Sequence, residues 1–169
     1  MNIASKRSRL TSLAPPMLLV LMTAACQAQL PAQPIDFKHR IHAGVNQIPC
    51  QYCHTSARRS ANSGVPSVER CMGCHKVIAQ DNPEVQKLIG YWQRGEAVPW
   101  VRIFELPQFA FFRHYPHIQA EVRCQTCHGE VQDMDRFRER PFIEMGFCIE
   151  CHRQQKRKAE ITDCYTCHR

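Results

Sequence analysis

The pattern Cys-x-x-Cys-His occurs five times in this chain of 169 residues: Cys50-Gln51-Tyr52-Cys53-His54, Cys71-Met72-Gly73-Cys74-His75, Cys124-Gln125-Thr126-Cys127-His128, Cys148-Ile149-Glu150-Cys151-His152 and Cys164-Tyr165-Thr166-Cys167-His168. The spacing lets two thiols form thioethers to the vinyl groups of one haem while the following imidazole reaches the iron, so each copy reads as a c-type haem attachment site. Ten of the eleven cysteines are used in this way, and the eleventh, Cys26, sits in a segment with its own explanation. Closed zinc sites would take thiol pairs two at a time, and five is odd. Neither zinc nor a disulfide framework requires a histidine after every pair. The expected cofactors are therefore five covalently bound haem c groups.

Five six-coordinate irons need ten axial ligands. The motifs supply His54, His75, His128, His152 and His168, and the chain holds four other histidines: His39, His42, His114 and His117. These four fall into two pairs at i, i+3 spacing, each shortly before an attachment motif, where one imidazole can serve the haem that follows and the other a neighbouring haem. Nine histidines leave one axial position for another residue type, and a methionine thioether is the natural substitute because it favours ferrous iron. Met72 lies inside its own motif and is poorly placed. Met134 or Met145 is expected to ligate a haem, the fourth being favoured, with the other packing in the core. An open iron that binds a small molecule is the competing possibility. Arg102, Arg113 and Arg123 are read as partners of haem propionates rather than catalytic groups.

Phe37-Lys38-His39-Arg40-Ile41-His42 precedes the first motif and Phe112-Arg113-His114-Tyr115-Pro116-His117 the third, 75 residues later. Cys50 to Cys124 is 74 residues and Cys71 to Cys148 is 77, so the landmarks keep nearly one offset. This reads as a duplicated two-haem unit: unit one over 35–82, a linker over 83–109, and unit two with the fifth haem over 110–169. Each motif is expected on a short helical turn. A helix is predicted over 83–92, with Asn82 as cap, Pro83 at its first position and Val85, Leu88, Ile89 and Trp92 on one face. Another is predicted over 153–160. The proline-broken stretch 95–112 reads as an extended linker packed across the haem units. The fold class is thus mostly irregular with short α-helices and duplicated two-haem units plus a fifth haem. Only about 29 residues of a chain starting at Cys26 are available per haem, so the haems are expected to form the core and the haem-free chain to be largely unfolded.

Residues 1–25 behave as an export signal of the lipoprotein type: Lys6, Arg7 and Arg9 form a basic start, and an apolar run over 17–25 follows Pro15-Pro16. The run is too short for a permanent transmembrane helix. Met22-Thr23-Ala24-Ala25-Cys26 resembles a lipobox, which would make Cys26 the lipidated first residue, followed by a flexible tether over 26–34. The alternative is an ordinary cleaved signal and a soluble product. Removing residues 1–25 lowers the formal charge from +7 to +4. The propionates of five haems, less the charge on each ferric iron, bring the loaded chain to about −1. No basic stripe with interleaved aromatics supports nucleic-acid binding.

Ile35-Asp36-Phe37-Lys38-His39-Arg40-Ile41-His42-Ala43-Gly44, the second motif, Pro99-Trp100-Val101-Arg102, Phe112 with His117, and Met145-Gly146-Phe147-Cys148 together resemble the pentahaem cytochrome subunit of alternative complex III, within the class III multihaem cytochromes. The resemblance implies a periplasm-facing electron-transfer subunit of a quinol-oxidising membrane complex. It further implies iron–sulfur and molybdopterin-like partner subunits, with a mono-haem cytochrome, a copper protein or a terminal oxidase as acceptor. Subunits of that family carry an N-terminal membrane helix where this chain shows a lipobox. The expected protein is not an enzyme by itself, and is held by a lipid anchor at the periplasmic face of the bacterial cytoplasmic membrane. A free periplasmic shuttle and a haem reductase of a small oxyanion are the rival readings.

Overall fold

The computed structural model describes residues 31–137 and 143–168. The signal segment, Cys26 and most of the tether lie outside the described residues. Eight short α-helices are joined by turns and irregular segments: α1 (Cys50–Cys53), α2 (Val68–His75), α3 (Pro83–Arg94), α4 (His114–Gln119), α5 (Cys124–His128), α6 (Met145–Arg153), α7 (Lys158–Ile161) and α8 (Cys164–Cys167). Among the described residues there is no strand beyond one isolated bridge, Ala110 with His168. No described helix is long and apolar enough to cross a membrane. The architecture is helical and irregular, as the spacing of motifs and prolines predicted.

Helix α3 shows how local chemistry sets an element. The Asn82 side chain accepts a hydrogen bond from the Glu84 N–H at 2.9 Å, Pro83 occupies the first turn, and Gly95 closes the helix at φ 67°. Val85 and Leu88 are buried, Ile89 and Tyr91 pack beside the core, and Trp92 turns outward under the Lys76 ammonium, 4.9 Å from its ring centroid. Glu84 accepts from the Asp36 N–H at 2.7 Å and pairs with Lys87 at 2.7 Å, tying the start of α3 to the chain just before His39. The Lys87 hydrogen bond, then that of Asp36, holds the Glu84 carboxyl below the usual range.

The helix predicted over 153–160 is not formed as one element. Helix α6 ends at Arg153 and α7 is a single turn. Residues 153–160 carry no apolar side chain larger than Ala159, so a helix there would have no face to bury.

A small conventional core exists at the α2–α3 end, formed by Ile35, Val68, Met72, Leu88 and Val98, with Cys71, Ile89, Tyr91 and Trp100 against it. Met72 is its centre at 2% exposure. Elsewhere large apolar side chains stand in the open beside the motifs, among them Tyr52, Val77, Ile78, Phe109, Phe111 and Tyr165. The polypeptide alone therefore has little to hold it together away from α2 and α3.

The two halves meet where a π-helical turn, Arg40–Val45, lies on a 3-10 turn, Val131–Asp133. A methyl group at Gly44 would run into the Gln132 carbonyl oxygen, so this approach requires glycine. The Arg40 N–H donates to the Met134 carbonyl at 2.9 Å, and the Arg40 guanidinium pairs with Asp135 at 2.9 Å.

Candidate functional site

Each attachment motif begins on or within a helical turn, which brings its two thiols to one side: α1, α2, α5, α6 and α8 carry the five in order. No disulfide joins the described motif cysteines. Among the described residues no three Cys, His, Asp or Glu side chains converge as a metal-ion cluster.

The imidazoles share one hydrogen-bonding pattern. Nδ1–H donates to a backbone carbonyl in His42 (to Lys38, 2.9 Å), His54 (Gly64, 2.6 Å), His75 (Ile78, 3.0 Å), His114 (Ala61, 2.7 Å), His117 (Arg113, 2.8 Å), His152 (Ile161, 2.9 Å) and His168 (Phe109, 3.2 Å). A carbonyl only accepts, so each ring is fixed in the tautomer that leaves Nε2 a free lone pair. This is how proteins orient a metal-ligating histidine. His39 differs: its Nδ1 is buried without a partner, as suits a ring whose partner is a bound group. Burial first, then the His54 and His42 charges, lowers the His39 pKa to about 4. Burial likewise lowers His117 and His128. Neutral imidazole is the ligating form.

Three histidine pairs face one another. Ring centroids are 6.1 Å apart for His42 and His75, 6.3 Å for His114 and His128, and 6.0 Å for His117 and His152. Two imidazoles on opposite faces of one iron stand roughly 6 Å apart, since each metal–nitrogen bond is about 2.0 Å and each nitrogen lies about 1.1 Å from its ring centre. The fourth combination follows from the duplication: His39 corresponds to His114, and the charge of His54, which corresponds to His128, acts on it. The repeat extends to the phenylalanines. Phe37 meets His39 edge-on at 5.0 Å and stacks on His42 at 4.4 Å, while Phe112 meets His114 at 4.8 Å and His117 at 4.7 Å with nearly the same angles.

Contacts between motifs place them in a row that does not follow the chain. The Arg70 guanidinium of α2 lies over the Tyr52 ring of α1 at 5.0 Å, joining the first motif to the second. His114 bonds to the Ala61 carbonyl, joining the first to the third. Helix α4 joins the third to the fourth through His114 and His117, and His152 bonds to the Ile161 carbonyl just before the fifth motif, joining the fourth to the fifth. The order is second, first, third, fourth, fifth. The irregular stretch after α3 runs along this row, with Trp100 against Phe37 at 6.5 Å, Phe104 against His128 at 5.5 Å and Phe109 against His168 at 5.9 Å.

Residues 110–169 match the family described as cytochrome c7 and related cytochrome c. That segment contains the third, fourth and fifth motifs, and the match implies covalently bound haem c there, with electron transfer as the class of function. Over residues 110–169 the fold is cytochrome c7-like. The chain is also 24% identical over 161 positions to the multihaem cytochrome c subunit of the menaquinone reductase of Nitratidesulfovibrio vulgaris, an alignment covering 81% of this chain and 77% of that protein.

His117 faces His152, so the fourth motif, favoured from sequence for a methionine, already has a second imidazole beside it. Met134 is half-buried next to the His39 segment, and Met145 is 67% exposed at the start of α6. Arg102, Arg113 and Arg123 are exposed, Arg102 facing Glu105 at 4.0 Å. Met72 was passed over as a ligand, and its structural role in the core carried no signal beyond its hydrophobicity.

Proposed function

We propose that the chain binds five haem c groups, at Cys50/Cys53, Cys71/Cys74, Cys124/Cys127, Cys148/Cys151 and Cys164/Cys167. His54, His75, His128, His152 and His168 are the proximal ligands. His39, His42, His114 and His117 are the distal ligands of the first, second, third and fourth haems in that order. The observation that carries this is the set of facing imidazoles at about 6 Å, of which His42, His75, His114, His117 and His152 are anchored through Nδ1 so that Nε2 is free.

The haems supply reversible one-electron chemistry. The chain orients the imidazoles through backbone carbonyls, holds adjacent sites together through the two His-x-x-His segments, and shields the row on one side with 96–109. On this reading the protein is an electron conductor, the part of a larger oxidoreductase that passes electrons rather than the part that turns over substrate. Its setting is a membrane quinone or quinol oxidoreductase complex, on the periplasmic face and held through a lipid on Cys26. The resemblance to alternative complex III supports the quinol-oxidising direction. The relative named as part of a menaquinone reductase supports a second reading, in which electrons run toward quinone.

Purification from host membranes tests both. We expect a low-spin c-type spectrum, a mass increment of five haems, and co-purification with iron–sulfur and integral membrane subunits. Reduction of the haems by added menaquinol supports the first direction, and reoxidation of pre-reduced haems by menaquinone supports the second. A colourless chain, or a coloured monomer in the soluble fraction, removes the proposal or its membrane setting respectively.

A further inference from the structure

We propose that the α2–α3 end of the molecule lies against the bilayer surface, so that the second haem is the membrane end of the row and the fifth is the end turned away. This deepens the function proposed above and rests on its lipid at Cys26 and its haem assignment. The attachment point of the anchor decides the orientation. Residues 27–32 are all that separate Cys26 from Gln33. Whatever course they take, that length of chain reaches no further than about 25 Å.

Where the anchored chain meets the fold it is fastened three times, each time at the α2–α3 end. The Gln33 side chain donates to the Val101 carbonyl at 2.9 Å and accepts from the Val101 N–H at 2.9 Å, a two-bond clamp on the stretch that follows α3. Ile35 is buried in the small core with Met72, a residue inside the second motif, and with Leu88 and Val98. The Asp36 N–H donates to the Glu84 carboxylate at the start of α3. The fifth motif is fastened elsewhere. The Phe111 N–H donates to the Cys167 carbonyl at 2.7 Å, and His168 donates to the Phe109 carbonyl, at the far end of the irregular stretch. A short tether therefore holds the second site near the lipid, while the fifth stands at the other end of the row.

The face at this end suits lipid headgroups. Trp92 turns outward on α3, with the Lys76 ammonium over its ring and Arg94 two residues further on. Val77 and Ile78 stand in the open beside Lys76. An indole and aliphatic side chains tipped by cations match the level of a bilayer where apolar and wet surroundings meet. Asp81 is exposed there too, and Glu84 and Glu96 pair with Lys87 and Arg94, so the face carries little net charge. The tether and the apolar side chains hold it to the membrane rather than attraction to anionic lipid. The second site is then the one within reach of a quinone-reactive partner in the membrane, and the fifth, beside the exposed Tyr165, faces the aqueous side.

The test places the holo-protein, without other subunits, on vesicles of phosphatidylethanolamine and phosphatidylglycerol that carry a photoreactive group on the lipid headgroup. Adducts are mapped along the chain by mass spectrometry. Covalent haem and flotation with the vesicles are measured first. Wild type without haem overturns the haem assignment, and wild type that fails to float, or a Cys26→Ser variant that still floats, overturns the lipid anchor; either result takes the proposal with it. With both in place, adducts should concentrate on 76–78 and 92–94, several-fold above those on 156–165. Adducts mainly on 156–165, or spread evenly over both ends, overturn the orientation alone. So does a floated protein whose α2–α3 end stays unlabelled, which would assign that end to a protein partner instead of the bilayer.

Discussion

At the scale of single residues, the site depends on which atom of each imidazole is left free. Because backbone carbonyls hold Nδ1 of most of these rings in the folded chain, replacing one distal histidine should open one iron without disturbing its neighbours. His117→Ala is expected to turn one haem in five, that of the fourth motif, high-spin and carbon-monoxide-binding, as electron paramagnetic resonance and difference spectra would show. If the third-motif haem responds instead, the pairing of His117 with His152 is wrong. Met72→Ala removes the centre of the small core and should cost about 2–5 kcal/mol, read from denaturant unfolding of the holo-protein at unchanged haem content. The four histidines proposed as distal ligands could be picked out in the sequence because all of them fall into one repeated spacing. Their partners were not, since an imidazole at i, i+3 from another can reach either of two irons until the backbone is placed.

Among the elements, α3 was the most readable, because cap, first-turn proline, apolar face and terminating glycine all lie in one continuous stretch. Asn82→Ala should destabilise it by about 1 kcal/mol, measurable as a small loss at the α2–α3 end in hydrogen exchange. The π-helical turn at Arg40–Val45 was not readable, since its hydrogen-bond register follows from what it packs against. Gly44→Ala pushes a methyl group into the Gln132 carbonyl and should cost about 1–3 kcal/mol, loosening the contact between the halves. A Tm equal to wild type would show that this contact has no part in stability. The helix expected over 153–160 failed for want of an apolar face, a requirement that helix propensity alone does not express.

For the molecule as a whole, the short list of buried side chains means that most of the cohesion is to come from the cofactors. A haem-free chain is expected to lack a cooperative thermal transition and to show little fixed tertiary structure by near-ultraviolet circular dichroism. The row predicts position-dependent damage. Removing attachment at the first motif, Cys50→Ser/Cys53→Ser, should interrupt transfer between the second and third haems, while removal at the fifth shortens the row and leaves the rest equilibrating. Stopped-flow reduction followed haem by haem distinguishes the two, and equal effects would contradict the order.

The sequence by itself determined the chemistry and the inventory: five thiol pairs, nine imidazoles, a doubled segment and too few apolar residues for an ordinary core. Those follow from covalent spacing and counting, which need no coordinates. Only the tertiary structure decided which imidazoles face each other and that the first motif sits between the second and the third. These depend on contacts between residues far apart in the chain, such as His114 with Ala61 and Arg40 with Asp135. No local pattern encodes them, because each is made only when the two halves close on one another.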